Sequence, residues 1–225
     1  MKTYLLLMAL ILQGLYTEAQ DTEIIHAGDN LSDYFTYRFP SFANATILFK
    51  NGTLSMAKMN FNTFLCKMQF IETTGDTLVV SKPEEIDSIR LNDRSFFYNK
   101  GYFEIIATYD SVKLAVLRKI NIDVVVTGAL GITSHTANVE NYDSYITSTA
   151  PKKLQFKDDL SVKKEMIYSL IGKNGVIVNA SRSGFLKIFT NDKKSIEIFL
   201  KSNKINFNSQ TDLEKLFLFC IQPKV

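Results

Sequence analysis

From Ala45 onward, apolar and polar residues alternate in short runs broken by turn residues, the period-two pattern of strands that bury one face. Thr46 to Lys50 leads into Asn51-Gly52, and Leu54 to Asn60 returns. That dipeptide suits a type I′ turn, whose two central residues both need positive φ. Phe64, Cys66, Met68 and Phe70 then share one side of a strand, with Lys67 and Gln69 on the other, before Thr74-Gly75-Asp76 turns the chain into Thr77 to Val80. Pro83-Glu84-Glu85 suits a single helical turn, because proline is preset for a first helical position. Ile89 and Leu91 alternate with Ser88 and Arg90 ahead of a turn at Asn92-Asp93. Phe96 and Tyr98 precede Asn99-Lys100-Gly101, after which Phe103, Ile105 and Ala107 alternate with Tyr102, Glu104 and Ile106. Val112, Leu114, Val116 and Ile120 share a face of a long last strand. Seven or eight strands joined by tight turns predict an antiparallel β-meander, curled enough to be barrel-like or sandwich-like.

The period changes twice afterwards. Glycine, serine, threonine and asparagine dominate residues 127–152, which reads as a flexible loop or linker. Met166 to Ile171, Asn174-Gly175 and Val176 to Val178 read as one further hairpin. Beyond it the apolar spacing becomes helical: Phe185, Ile188 and Phe189 lie on one face, then Ile196, Phe199 and Leu200, then Leu213, Leu216, Phe217 and Cys220. Asn191 or Asp192 is placed to start the second helix and Asn203 to end it. Ser209 and Thr211, each three residues ahead of an acid, have capping-box spacing for the third. The predicted fold class is therefore α+β: an N-terminal antiparallel β-meander followed by a β-hairpin and three short C-terminal helices. The organisation reads as a lead-in over 20–43, a β-domain over 44–126, the linker over 127–152 and the hairpin with helices over 153–225.

Residues 1–19 are set apart from all of this. Lys2, the apolar run Leu5 to Leu12, and small residues at Thr17 and Ala19 make a signal peptide with cleavage expected after Ala19. No later apolar run approaches the roughly 20 residues of a membrane-spanning helix. The first cysteine, Cys66, lies far beyond any lipid-attachment position. The mature chain is therefore expected to be exported, periplasmic or secreted, soluble, and without a transmembrane or lipid anchor.

Composition narrows the partners. A hydrophobic content of 46% with 22% charged residues is that of an ordinary globular chain, and a net charge of +3 spread along it gives no electrostatic footprint for nucleic acid. Cys66 and Cys220 would meet an oxidising compartment after export, so they form a possible disulfide; two buried apolar thiols are the alternative. Tyr98, Tyr102 and Tyr109, on neighbouring strands, are candidates for a partner patch, with sheet packing as the plainer use.

Several stretches also resemble an uncharacterised family of exported proteins from Bacteroidetes-type bacteria. They are Phe49-Lys50-Asn51-Gly52-Thr53, Met68-Gln69-Phe70, Gly75-Asp76-Thr77-Leu78, Pro83-Glu84-Glu85-Ile86 and Phe96-Phe97-Tyr98. The tail adds Phe185-Leu186-Lys187-Ile188-Phe189, Asn203-Lys204-Ile205-Asn206-Phe207 and Asp212-Leu213. The resemblance implies export and the β-rich fold, and supplies no catalytic residue.

His26 lies in the lead-in and His135 in the linker, away from any ligand-spaced cluster, so neither a metal nor another cofactor is expected. Ser181-Arg182-Ser183-Gly184 lacks the order of a nucleophile elbow, and its serines suit a helix start. Gly128-Ala129-Leu130-Gly131 lacks the lysine of a phosphate loop. Glu84, Glu85 and Asp87 read as a solvated helix start. The function expected is that of a non-catalytic binding or structural module of the bacterial cell envelope, its partner an envelope protein or ligand of unknown identity. The alternatives are a hydrolase of an envelope or extracellular polymer, using Glu84, Glu85 or Glu104, and a carrier of small apolar ligands inside the curled sheet.

Overall fold

The computed structural model describes residues 22–26, 33–127, 133–138, 159–173 and 175–222. Its strands are β1 (Thr22–Ile25), β2 (Ala43–Phe49), β3 (Leu54–Asn62), β4 (Lys67–Ile71), β5 (Thr77–Val79), β6 (Ile86–Leu91), β7 (Arg94–Tyr98), β8 (Tyr102–Tyr109), β9 (Val112–Thr127), β10 (Thr133–Asn138), β11 (Leu160–Ile171) and β12 (Ile177–Asn179). The helices are α1 (Asp33–Thr36), α2 (Arg182–Ile188), α3 (Lys193–Ser202) and α4 (Gln210–Ile221). All the strands belong to one antiparallel sheet in the order β1-β11-β9-β8-β7-β6-β2-β3-β4-β5, with β10 added to β9 and β12 to β11. The α+β class and the meander from β2 to β9 follow the sequence pattern.

The turns show how local chemistry sets this register. Between β2 and β3, the Gly52 N–H donates to Phe49 O and the Phe49 N–H to Thr53 O, both at 2.9 Å. Gly52 takes a φ of 85°, whereas Asn51 does not enter the positive-φ region. The turn is thus a three-residue loop closed by glycine, and the expected two-residue type I′ geometry is not used. Asn51 instead accepts the Thr53 N–H on its side-chain oxygen at 2.9 Å. The same pair of backbone bonds recurs at 72–76 and at 172–176.

Two segments depart from the expected pattern. Phe64 and Cys66 fall in the β3–β4 turn and not on a strand, because Asn62 Oδ1 accepts the Leu65 N–H at 2.8 Å and Cys66 takes a φ of 53°. Within 127–152, read as a loop, Thr133–Asn138 pairs with β9 from Thr133↔Thr127 to Asn138↔Asp123 as β10. The remainder of that stretch beyond Thr127, like the export segment 1–19, lies outside the described residues. The hairpin assigned to a separate C-terminal region also joins the main sheet, since β11 pairs with β9 from Leu160↔Val124 to Ile171↔Lys113. Part of the lead-in does the same: β1 pairs with β11, and Ile25 and Phe35 pack with Ile122, Leu160 and Val162.

The sheet is open along its path, yet it curls. β3 and β8 lie four places apart in the strand order, but the Phe61 and Tyr102 rings approach to 6.1 Å across the inner face. Met59, Phe61, Met68, Ile89, Leu91 and Phe96 fill that side. At the other end the inner face of β9 and β11, carrying Leu114, Val116, Tyr168 and Leu170, receives Phe185, Ile196, Leu213, Leu216 and Phe217 from the helices. Full burial of each such side chain contributes about 1.5–3 kcal/mol, which is what holds three short helices in place. Ser181 caps α2 by accepting the Gly184 N–H, and Ser209 caps α4 by accepting the Asp212 N–H.

Gly184 is the tightest point of this junction. A Cβ there would overlap the backbone oxygen of Asn179 and meet Val178 Cγ2 at 3.4 Å, so no flexible side chain is available to absorb the clash. Gly184→Ala is expected to destabilise by about 2 kcal/mol despite the better helix propensity of alanine. A urea midpoint that falls at unchanged slope would confirm it.

Candidate functional site

A groove of about 840 Å³ lies at the helical end of the sheet. Tyr109 at the end of β8 and Asp110 of the β8–β9 turn form one lip, Lys173 of the β11–β12 turn another, and Val112, Ile188, Phe189 and Ile221 give it apolar walls. Its size and mixed lining suit a small molecule or a short segment of a partner. At the rim, Lys173 Nζ lies 3.1 Å from Asp110 Oδ2, and this hydrogen bond and charge hold the Asp110 carboxyl below its ordinary range. Both side chains are exposed, so the pair contributes little to stability.

A polar cluster lies on the inner face, between the two apolar halves of the core. The period-two pattern places Glu104 opposite Phe103, on the face that carries Phe96 and Val116, where it is 2% exposed. Arg38 forks onto it, Nε donating to Oε2 at 2.9 Å and Nη2 to Oε1 at 3.1 Å, while Arg118 Nε donates to Oε2 at 2.7 Å. Arg94 Nε stands 3.7 Å from Oε1. Burial pushes the Glu104 carboxyl up, but the hydrogen bonds and charges of Arg38 and Arg118 outweigh it and bring the group below its ordinary range. An ionised, fully engaged carboxylate of this kind anchors its neighbours and has no proton to give.

The residues singled out from sequence separate in space. Tyr98 and Tyr102 do meet, ring to ring at 5.1 Å, but Tyr102 is 4% exposed while Tyr109 is 52% exposed on the groove's lip, so the three form no common patch. Packing is the use the fold makes of Tyr102: its ring sits in the inner-face core, its hydroxyl is buried without a hydrogen-bond partner, and burial pushes the phenol well up. Glu84 and Glu85 occupy the exposed turn before β6, Glu85 paired with Lys82 at 3.1 Å, and do not converge with buried Glu104. His26 Nδ1 and Asp159 Oδ2 are 3.2 Å apart on the exposed edge near β1, and neither residue lines the groove.

The possible disulfide is not formed. Cys66 stands in the β3–β4 turn, its thiol directed at Thr63 O at 3.5 Å, whereas Cys220 is buried in the helix–sheet core between α4 and the sheet. Alkylation of the denatured, unreduced protein followed by intact-mass measurement is expected to add two labels; none would show a bridge.

Among the described residues, no group of three or more His, Cys, Asp or Glu side chains is placed to hold a metal ion, and no helix is long and apolar enough to cross a membrane. The arginine cluster was missed in sequence because Arg38, Arg94 and Arg118 are brought together only by register and curl. The one local signal was an acid, Glu104, in a strand whose neighbours are all apolar or aromatic. No family model, no curated protein and no solved structure matches the chain.

Proposed function

We propose that this chain is an exported, non-catalytic binding module of the cell envelope, akin to the Bacteroidetes-type exported proteins that its motifs resemble. The observation that carries the reading is the groove at the helical end of the sheet. Its lining mixes apolar with polar side chains and two of its rim charges are already paired with each other, a lining suited to holding a partner. Export rests on the sequence of residues 1–19. The inner face of the curled sheet is packed with Met59, Phe61, Met68 and Phe96, which favours the groove over an internal ligand cavity.

The reading is tested with a panel of envelope-derived glycans, muropeptides and peptides, scored for both thermal stabilisation and turnover. A true ligand at a hundredfold excess over its Kd stabilises by about 2.7 kcal/mol. It is expected to be recovered chemically unchanged and to lose its effect in Val176→Trp, which fills the groove. Recovery of cleaved material, with cleavage lost in Glu84→Gln or Glu85→Gln, would establish the hydrolase instead.

A further inference from the structure

We propose that Arg38, Arg94 and Arg118, gathered around Glu104, form a second binding site, independent of the groove, for a phosphate-class dianion. Three guanidiniums face one buried carboxylate, an excess of two positive charges on the inner face. Their side chains are 28%, 37% and 16% exposed respectively, so an anion can reach them without unfolding the sheet.

Arg118 is the clearest case. It is mostly buried, yet among the described residues its one carboxylate acceptor is Glu104 Oε2; its Nη1 is set 3.0 Å from the Met166 thioether sulfur, a weak acceptor. A guanidinium carries five N–H donors in a rigid fork, and charged donors held away from water call for charged acceptors. Arg94 contributes in the same way from the rim. Its other carboxylate neighbour, Asp93, lies 3.4 Å away and is 77% exposed, where water screens it.

Phosphate matches this arrangement better than a second carboxylate. It carries about 1.5 to 2 negative charges near neutral pH and offers acceptor oxygens to more than one fork at once. Glu104 meanwhile keeps the forks in place, by occupying Arg38 from both sides and Arg118 through Nε only.

The experiment is calorimetric titration of the intact protein with inorganic phosphate and with glycerol 3-phosphate at fixed ionic strength in chloride, alongside sedimentation with phosphatidic-acid vesicles. Saturable binding of inorganic phosphate identifies the free ion; binding of the monoester or of the vesicles alone identifies a phosphorylated molecule or a lipid headgroup. In each case Arg94→Gln, at the most exposed of the three arginines, is expected to weaken binding about tenfold or more, the loss of a hydrogen bond to a charged group. Asp93→Asn removes the competing rim carboxylate and is expected to tighten binding, an effect a purely structural cluster would not produce. Absence of saturable binding in all three arms, or binding unchanged in both variants, overturns the proposal.

Discussion

Glu104→Gln is expected to lower the free energy of unfolding by about 3 kcal/mol, the low end of the range for removing one partner of a buried ion pair. The carboxylate is 2% exposed and accepts three hydrogen bonds from two guanidiniums, so its loss strands charges that cannot all be rehydrated in place. Arg38 and Arg94 reach solvent far enough to recover part of their hydration, which keeps the cost from the upper end. The linkage to pH has a definite sign. Because the folded carboxyl lies below its ordinary value of 4.5, its contribution is present in full above the unfolded pKa and is lost as pH falls through the folded one. Urea titrations at a series of pH values should therefore show wild type and Glu104→Gln well separated near neutrality and converging below about pH 4.5, where the unfolded-state carboxyl takes up its proton. A constant separation down to strong acid would show that charge at Glu104 is not what the cluster depends on.

Phe217→Ala is expected to cost about 4 kcal/mol, the range for a fully buried aromatic side chain cut back to alanine. Phe217 stands edge-on to Phe189 at 6.0 Å, and Phe189 in turn stacks with Phe185 at 6.1 Å, so one ring couples α4 to the end of α2. The deletion opens a cavity under the helices, and because Phe189 also walls the groove, the groove loses its shape with it. Leu218→Ala, the neighbouring residue on the solvent side of the same helix, is 54% exposed and should stay within about 0.5 kcal/mol of wild type. Chemical denaturation of the two variants side by side distinguishes loss of packing from a general weakening of α4, which would lower both.

Much of this fold was legible because its signals are local. The even positions Val112, Leu114 and Val116 announce one buried face of β9, and Leu213, Leu216, Phe217 and Cys220 announce the stripe of α4. Tight turns declare themselves through Gly52 and Gly75 even where the turn type differs from the one expected. What stayed hidden is set by partners distant in sequence. Thr22–Ile25 has no period of its own and becomes a strand only because β11 offers it an edge. The small polar residues of Thr133–Asn138 pair because β9 runs on past the sheet's main body. Glu104 looked like the solvent-facing half of an alternating strand, and the curl that buries it against Arg38 and Arg118 cannot be read from the composition of β8. The groove is likewise made by four separate chain segments, around Asp110, Lys173, Phe189 and Ile221, that only the fold brings together.

The shortness of the terminal strands bears on self-association. The path through the sheet ends in β1, four residues long, and β5, three residues long, whereas the interior of the path holds strands of up to sixteen. An unpaired strand edge is a template on which another chain can add itself, and the gain from such an addition grows with the number of free N–H and C=O groups in register. Here each end offers only a few, so a growing cross-strand stack would gain little per added copy. Among the described residues, the two ends of the path are thus poor templates for edge-to-edge addition.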